Sequence, residues 1–90
     1  MFSVYILWSE KLQIYYIGQT SDLDKRLQRH NRGYEKFTRK GIPWMLVWST
    51  KKSSRREAVQ LERKLKNYSV KRLRIFMDKY DKGQAGVAGR

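Results

Sequence analysis

The sequence FSVYILW at residues 2–8, followed by IYYIG at residues 14–18, decides the fold of this chain. Both runs are rich in β-branched and aromatic residues, a composition typical of strands. Residues 9–13 between them are polar and turn-like. Two strands this close in sequence favour an antiparallel hairpin. The chain is therefore expected to begin with two paired strands of a sheet.

A helix is predicted directly after the hairpin. Ser21 can act as its N-cap, with the carboxylate of Asp24 three residues later, which is a variant of the capping box. The helix is expected to run to about Arg32, and Gly33 stands where a glycine commonly follows a helix end. A basic loop over residues 33–42 comes next.

One more strand and two more helices follow the loop. Residues 43–48 form an apolar run that is too short for a helix and predicts a buried central or returning strand. The S-x-x-E sequence at residues 54–57 predicts a second capped helix, and apolar spacing predicts a third over about residues 70–79. The order β-β-α-β-α-α predicts an α/β (α+β) domain, in which helices flank a three-stranded, antiparallel-biased sheet.

The 90 residues allow one domain with a small core. We assign residues 1–80 to this domain and expect residues 81–90, which are rich in Gly and Ala without periodicity, to form a flexible tail. The sequence has no Cys, which excludes disulfides and thiolate zinc sites. It has no long apolar run and begins with strand-like sequence rather than a signal segment, so we expect a cytoplasmic protein without a membrane span.

Positive charge dominates the composition. Lys and Arg number 21 against 8 Asp and Glu, which gives a formal net charge of +13. An excess of this size usually compensates a polyanion, and nucleic acid is the partner that it favours most. Charge alone does not separate a nuclease from a binding protein, and RNA is not excluded as the partner.

Acidic residues are too few for most metal-dependent phosphoryl-transfer sites. The carboxylates away from turns and tails are Asp22, Asp24, Glu57 and Glu62. A two-metal site normally needs several convergent carboxylates, which this composition argues against. A single Mg²⁺ or Mn²⁺ held by one carboxylate, water and substrate phosphates is compatible with the sequence.

Five positions resemble the motifs of the GIY-YIG nuclease superfamily in order and spacing, across about residues 2–70. They are Val4-Tyr5, Tyr16-Ile17-Gly18, Arg26, His30 and Glu62. The resemblance is strongest to the small, stand-alone bacterial members. The first motif has Ser3 in place of its glycine, and Gln19 stands where some repair-type members have lysine. Both departures put substrate preference in doubt more than activity.

The resemblance implies a divalent-metal endonuclease that hydrolyses DNA phosphodiesters, with DNA repair or recombination as its setting. It implies that Glu62 binds one Mg²⁺ or Mn²⁺ and that Tyr16 orients or deprotonates the attacking water. Tyr5 would position the water or the phosphate, and Arg26 would stabilise the developing charge. His30 would contact phosphate or assist proton transfer. Further nucleic-acid contacts are expected from Gln19, Arg29, Arg32, Lys36, Arg39, Lys40 and Arg55.

Plainer explanations exist for the same residues. Tyr5 and Tyr16 are ordinary strand aromatics, and Glu62 with Lys66 is a favourable i,i+4 pair of a helix. Two other functions therefore stay open. One is a basic nucleic-acid-binding module with the same fold and little or no catalysis. The other is a nuclease subunit that depends on a partner protein for substrate specificity.

Overall fold

A computed structural model describes residues 1–83, with side chains through Tyr80, as one sheet and three α-helices. The strands are β1 (Phe2–Ser9), β2 (Ile14–Thr20) and β3 (Trp44–Lys52), and the helices are α1 (Leu23–Asn31), α2 (Arg55–Lys66) and α3 (Val70–Gly83). A short 3₁₀ turn at Arg39–Gly41 lies in the loop before β3. The strand order is β2-β1-β3, with both pairings antiparallel. The predicted α+β fold is confirmed.

Strand β1 occupies the centre of the sheet because both other strands pair with it. Its side chains from Val4 to Leu7 are all fully buried, on both faces. The apolar run that opens β3 lies instead on an edge strand, as the returning strand of the prediction rather than the central one. Met45, Leu46 and Val47 are correspondingly exposed.

The two faces of the sheet carry different layers, because successive side chains of a strand point to opposite sides. On one face, Val4 and Ile6 pack against apolar residues of α2 and α3, including Leu65 and Leu73. On the other face, Tyr5 and Leu7 belong to a cluster that includes Trp44, Tyr16, Leu23, Leu27 and Ile42. Tyr5 therefore lies on the same side of the sheet as α1.

The helix caps differ from the sequence prediction at one position. Asp22, not Ser21, caps α1, and its carboxylate accepts a hydrogen bond from the backbone N–H of Lys25 at 3.1 Å. A carboxylate also interacts favourably with the positive end of the helix dipole, which explains the preference. Ser54 caps α2 as predicted by accepting from the Glu57 N–H. Gly33 follows the end of α1 with φ of +80°, the left-handed conformation expected there.

Helix α3 begins at the predicted position but ends later than expected. It continues to Gly83 rather than stopping near Lys79. The predicted flexible tail at residues 81–90 thus overlaps the last helical residues, and residues 84–90 lie outside the described residues. Within residues 1–83, none of the helices is long and apolar enough to cross a membrane.

Candidate active site

The side chain of Tyr5 crosses from the central strand to the edge of the sheet. Tyr5 is 0% exposed, and its partner in the β1–β2 pairing is Gly18. A Cβ atom placed on Gly18 would lie 2.6 Å from the Tyr5 hydroxyl oxygen and 2.7 Å from its Cζ atom. The ring of Tyr5 therefore occupies the space above Gly18, and only glycine leaves room for it.

Replacement of Gly18 by alanine is expected to destabilise the domain and displace Tyr5. Overpacking of a filled core costs about 1–3 kcal/mol, and we expect a loss in that range for Gly18→Ala. Chemical denaturation of the variant measures it. Tyr5→Leu is costly by itself, because it removes a buried ring, but adding Gly18→Ala to Tyr5→Leu should cost little further stability, since the clashing ring is gone. Equal stability of Gly18→Ala and the wild type would contradict this close approach.

His30 connects Tyr5 to the loop before β3. It lies in the last turn of α1, and its Nε2 atom is 3.0 Å from the Tyr5 hydroxyl. Its Nδ1 atom is 2.8 Å from the Thr38 hydroxyl oxygen. Thr38 in turn donates to the carbonyl oxygen of Glu35 at 3.5 Å. This hydrogen-bond pattern assigns the proton to Nδ1, which donates to Thr38, and leaves Nε2 to accept the phenol proton of Tyr5.

Burial keeps His30 in its neutral form. Desolvation lowers the pKa of His30 below its ordinary value of 6.5, and the nearby Arg26 and Arg29 act in the same direction, while Glu35 opposes them. A neutral imidazole can accept a proton at Nε2, whereas an imidazolium cannot. His30 is therefore suited to act as a proton acceptor toward Tyr5.

The same pKa shift predicts how stability depends on pH. As the pH falls below about 6.5, the unfolded chain protonates at this histidine while the folded chain resists protonation. The stability that neutral His30 contributes is thus complete above that pH and is lost toward lower pH. Denaturant unfolding between about pH 7.5 and 5.5 should show this decline in wild type.

The control for this decline is His30→Gln, since the chain has a single histidine. The variant is expected to show a flat stability profile over the same pH range. An equal decline in both proteins would contradict the assignment of the titration to His30.

Several of the predicted site residues shift the pKa of the Tyr5 phenol. Its pKa is raised to about 12, first by burial and next by the neighbouring Tyr16. The charge of Arg26 opposes this increase, and the charge of Glu62 adds to it. Tyr16, Arg26 and Glu62 therefore all act electrostatically on one hydroxyl group. Tyr5, Tyr16 and His30, three of the five residues that the sequence proposed for catalysis, lie together in the structure. Arg26 and Glu62 act on the Tyr5 hydroxyl through their charges.

Tyr16 lies beside this hydroxyl on the edge strand β2. Its ring centroid is 6.4 Å from that of Tyr5 and 5.0 Å from that of His30. Phe37 is its neighbour on the other side, at 6.1 Å. The two tyrosines thus flank His30, but only Tyr5 is hydrogen-bonded to it among the described contacts.

Glu62 lies in the middle of α2 with its side chain 19% exposed, and its carboxylate pairs with Lys66 at 2.8 Å. The helix pair that the sequence indicated is therefore present. Among residues 1–83, no group of three or more His, Cys, Asp or Glu side chains converges as a metal site. A lone carboxylate fits Mg²⁺, which usually keeps several waters and takes its other ligands from substrate phosphates. The single carboxylate of Glu62 therefore suits a cation whose other ligands are water and substrate phosphates.

The basic residues proposed to contact nucleic acid fall into two groups. Arg29 pairs with Glu35 at 3.1 Å, Arg39 donates to the carbonyl oxygen of Gly33, and Arg55 stacks over the ring of Phe2. All three are exposed, but each already contacts a partner within the protein. The other group consists of exposed cations at the end of α1 and in the following loop, namely Arg32, Lys36 and Lys40.

Gln19 differs from both groups. It lies on β2, and its side-chain oxygen is buried without a hydrogen-bond partner among the described residues. Such an oxygen is not available to a phosphate, which it would also repel as an acceptor. Its amide nitrogen remains the part of Gln19 that suits the predicted contact.

Thr38 and Phe37 are site residues that the sequence analysis did not identify. Both lie in the segment interpreted as a basic loop, where spacing carries no signal because the chain is not periodic. Thr38 is buried and is fixed from a second side, since the indole N–H of Trp44 donates to its carbonyl oxygen at 2.6 Å. A buried threonine in a polar loop is not distinguishable by sequence from an exposed one.

Comparison with protein families gives one match over most of the chain. The model of the GIY-YIG catalytic domain matches residues 1–74. This segment includes all three strands, α1 and α2, and thus every residue of the candidate site.

Similar proteins occur in several bacilli. A UPF0213 protein of Bacillus pumilus is 36% identical over 64 residues, which cover 70% of this chain and 65% of the relative. The UPF0213 protein YazA of Bacillus subtilis is 34% identical over 65 residues, covering 71% and 66%. The chain thus spans slightly less than two thirds of the length of these two relatives.

A solved structure shares the fold. The solution NMR structure of the UPF0213 protein BH0048 from Bacillus halodurans is 32% identical, with a TM-score of 0.56. The match covers 87% of this chain and 84% of that protein. The names of these relatives state no activity.

Proposed function

The chain belongs to the GIY-YIG family, and from that premise we propose that it is a divalent-metal-dependent endonuclease that hydrolyses DNA phosphodiester bonds. The family domain supports a nuclease role and a nucleic-acid substrate. The observation that carries the proposal further is the hydrogen bond between the hydroxyl of Tyr5 and His30, on which the charges of Arg26 and Glu62 also act. DNA repair or recombination is the proposed setting.

Tyr5 and His30 together supply a route for the proton of an attacking water. With its pKa near 12, Tyr5 rests as a neutral phenol and is a weak base by itself. The Tyr5 hydroxyl is buried, so the water reaches it through partly buried Tyr16. Tyr16 takes a proton from the water and passes its own to the Tyr5 oxygen, while the phenol proton of Tyr5 moves to Nε2 of His30. The hydroxide so formed attacks phosphorus and the P–O bond to the leaving oxygen breaks. The leaving alkoxide takes a proton from solvent, and the proton held by His30 returns to solvent after the product is released. Thr38 holds the imidazole in the tautomer that this transfer needs.

Arg26 stabilises negative charge at two points of this reaction. Its charge already acts on the Tyr5 oxygen, where negative charge develops as the phenol loses its proton. Its planar guanidinium can also make paired hydrogen bonds to a phosphate, which a lysine ammonium cannot. A preorganised donor of this kind typically contributes roughly 10²–10³ in rate.

Glu62 is the residue that would hold Mg²⁺ or Mn²⁺. When bound, such a cation neutralises charge on the phosphate as it is attacked. Lys66, which now pairs with Glu62, is half-exposed and can turn toward solvent at small cost. Tyr16, on the edge strand beside Tyr5, is placed to orient the water or the phosphate.

The experiment that tests the proposal compares cleavage with binding. Plasmid, branched and single-stranded DNA are incubated with the protein at low salt, with Mg²⁺, Mn²⁺ or EDTA. The proposal expects cleavage with either metal and none with EDTA. Binding without cleavage on every substrate favours the binding module, and cleavage that rises on addition of a cellular extract favours a subunit that needs a partner protein.

A further inference from the structure

Phe37 presents its ring to solvent immediately beside the candidate active site. It is 72% exposed, and its ring lies 6.1 Å from that of Tyr16. The loop that carries it is anchored at the next residue, since Thr38 is buried against His30. The core does not explain the position of Phe37, because most of the ring contacts no protein.

Two grooves meet at Phe37. One, of about 520 Å³, is lined by Phe37, Leu12 and Ile14 together with Lys36 and Lys40. This volume is within the usual range of ligand sites, about 300–1,000 Å³. The second, of about 450 Å³, shares Phe37 and Ile14 and runs along Tyr16 to Lys66, the partner of Glu62. Together they form an apolar path that begins at the candidate active site and ends between two lysines.

The charges that line this path indicate what kind of ligand would fit it. In the described part of the chain, every charged residue that lines the two grooves is a lysine: Lys36, Lys40 and Lys66. An apolar floor with a cationic rim complements a flat nucleobase joined to phosphates. A second copy of this chain is a poor occupant, because each copy has a net charge of +13 and would add its own lysines to the contact.

We propose that Phe37 is a stacking platform for an unpaired nucleobase of the strand bound at Tyr16, with Lys36 and Lys40 contacting the adjacent phosphates. Bases inside a duplex already stack on both faces, so only an unpaired or displaced base can use this ring. The inference rests on the proposed function and specifies its substrate as nucleic acid that is single-stranded beside the cleaved bond.

Binding without metal tests this inference separately from catalysis. Wild type and Phe37→Ala are titrated in EDTA with a single strand carrying 2-aminopurine and with a hairpin duplex of the same sequence. Loss of one stacked base typically weakens binding about tenfold, so we expect that loss for the single strand and no change for the duplex. Quenching of 2-aminopurine by wild type should disappear in Phe37→Ala and persist in Phe37→Trp.

Tyr34→Ala is the matched control. Tyr34 is another exposed aromatic of the same loop, at 61%, but it lines neither groove and lies against Arg29. Its removal should leave both affinities unchanged. Circular dichroism establishes that the variants are folded.

Two results would overturn the inference. One is that Phe37→Ala changes the affinities for single strand and duplex equally, or changes neither. The other is a sedimentation change from dimer to monomer in Phe37→Ala, which would make a second copy the occupant. A chain that cleaves DNA without a Phe37 effect refutes only this inference. If Phe37→Ala loses affinity only for the single strand, but the protein cleaves no DNA, only the proposed nuclease activity is refuted.

Discussion

Tyr5→Phe is expected to lower the cleavage rate by roughly 10²–10⁴-fold, the usual contribution of a positioned acid–base group. The substitution removes only the hydroxyl that donates to His30, and leaves the ring above Gly18. DNA affinity should stay near that of wild type, because Tyr5 is buried and carries no charge. Single-turnover cleavage and a binding titration measure the two quantities.

A matched control for this substitution lies on the other face of the same sheet. The hydroxyl of Tyr15 accepts from Arg74 at 3.1 Å, far from His30 in the packing of the sheet. Tyr15→Phe should therefore leave cleavage unchanged. Tyr5→Phe also leaves Nε2 of His30 without its partner, which typically costs about 1–3 kcal/mol, so the assay is run where denaturation shows both variants folded. If Tyr5→Phe cleaves DNA at the wild-type rate, Tyr5 has no part in the mechanism.

The sequence predicted the fold well where local signals and packing agree. The first two runs indicated strands that pair as an antiparallel hairpin, and β1 and β2 do so. The apolar run that opens β3 left a central and a returning strand open, and it forms an edge. Position within a sheet depends on which strands pair, and the hydrophobicity of a single run does not specify that.

The candidate site was predictable only in part. The family resemblance proposed Tyr5, Arg26 and His30, and the last two lie one helix turn apart on α1. The contact of His30 with Thr38 was not predictable, since the connecting loop has no periodic pattern. The close approach of Tyr5 to Gly18 likewise depends on strand register, which gives the glycine of the second motif its physical reason.

Glu62→Gln is expected to abolish most metal-dependent cleavage, by roughly 10²–10³-fold or more, while binding to DNA is kept or slightly strengthened. The substitution preserves the size of the side chain and removes the negative charge that would hold Mg²⁺. Less negative charge near a polyanion does not weaken binding. Stability should change little, because the Glu62–Lys66 pair lies partly in solvent.

Glu57→Gln provides the control on the same helix. Glu57 lies in the first turn of α2, and its carboxylate accepts from the hydroxyl of Ser53. An amide oxygen can accept the same hydrogen bond, so this variant should cleave DNA at the wild-type rate. It also reports any general effect of raising the net charge by one.

The single-turnover rate of DNA cleavage by wild type, Glu62→Gln and Glu57→Gln in Mg²⁺ is the most direct test of the metal-dependent nuclease proposed here. We expect wild type and Glu57→Gln to cleave equally, and Glu62→Gln to bind the same DNA without cutting it. Cleavage by Glu62→Gln at the wild-type rate, or wild-type cleavage that persists in EDTA, would contradict the proposal.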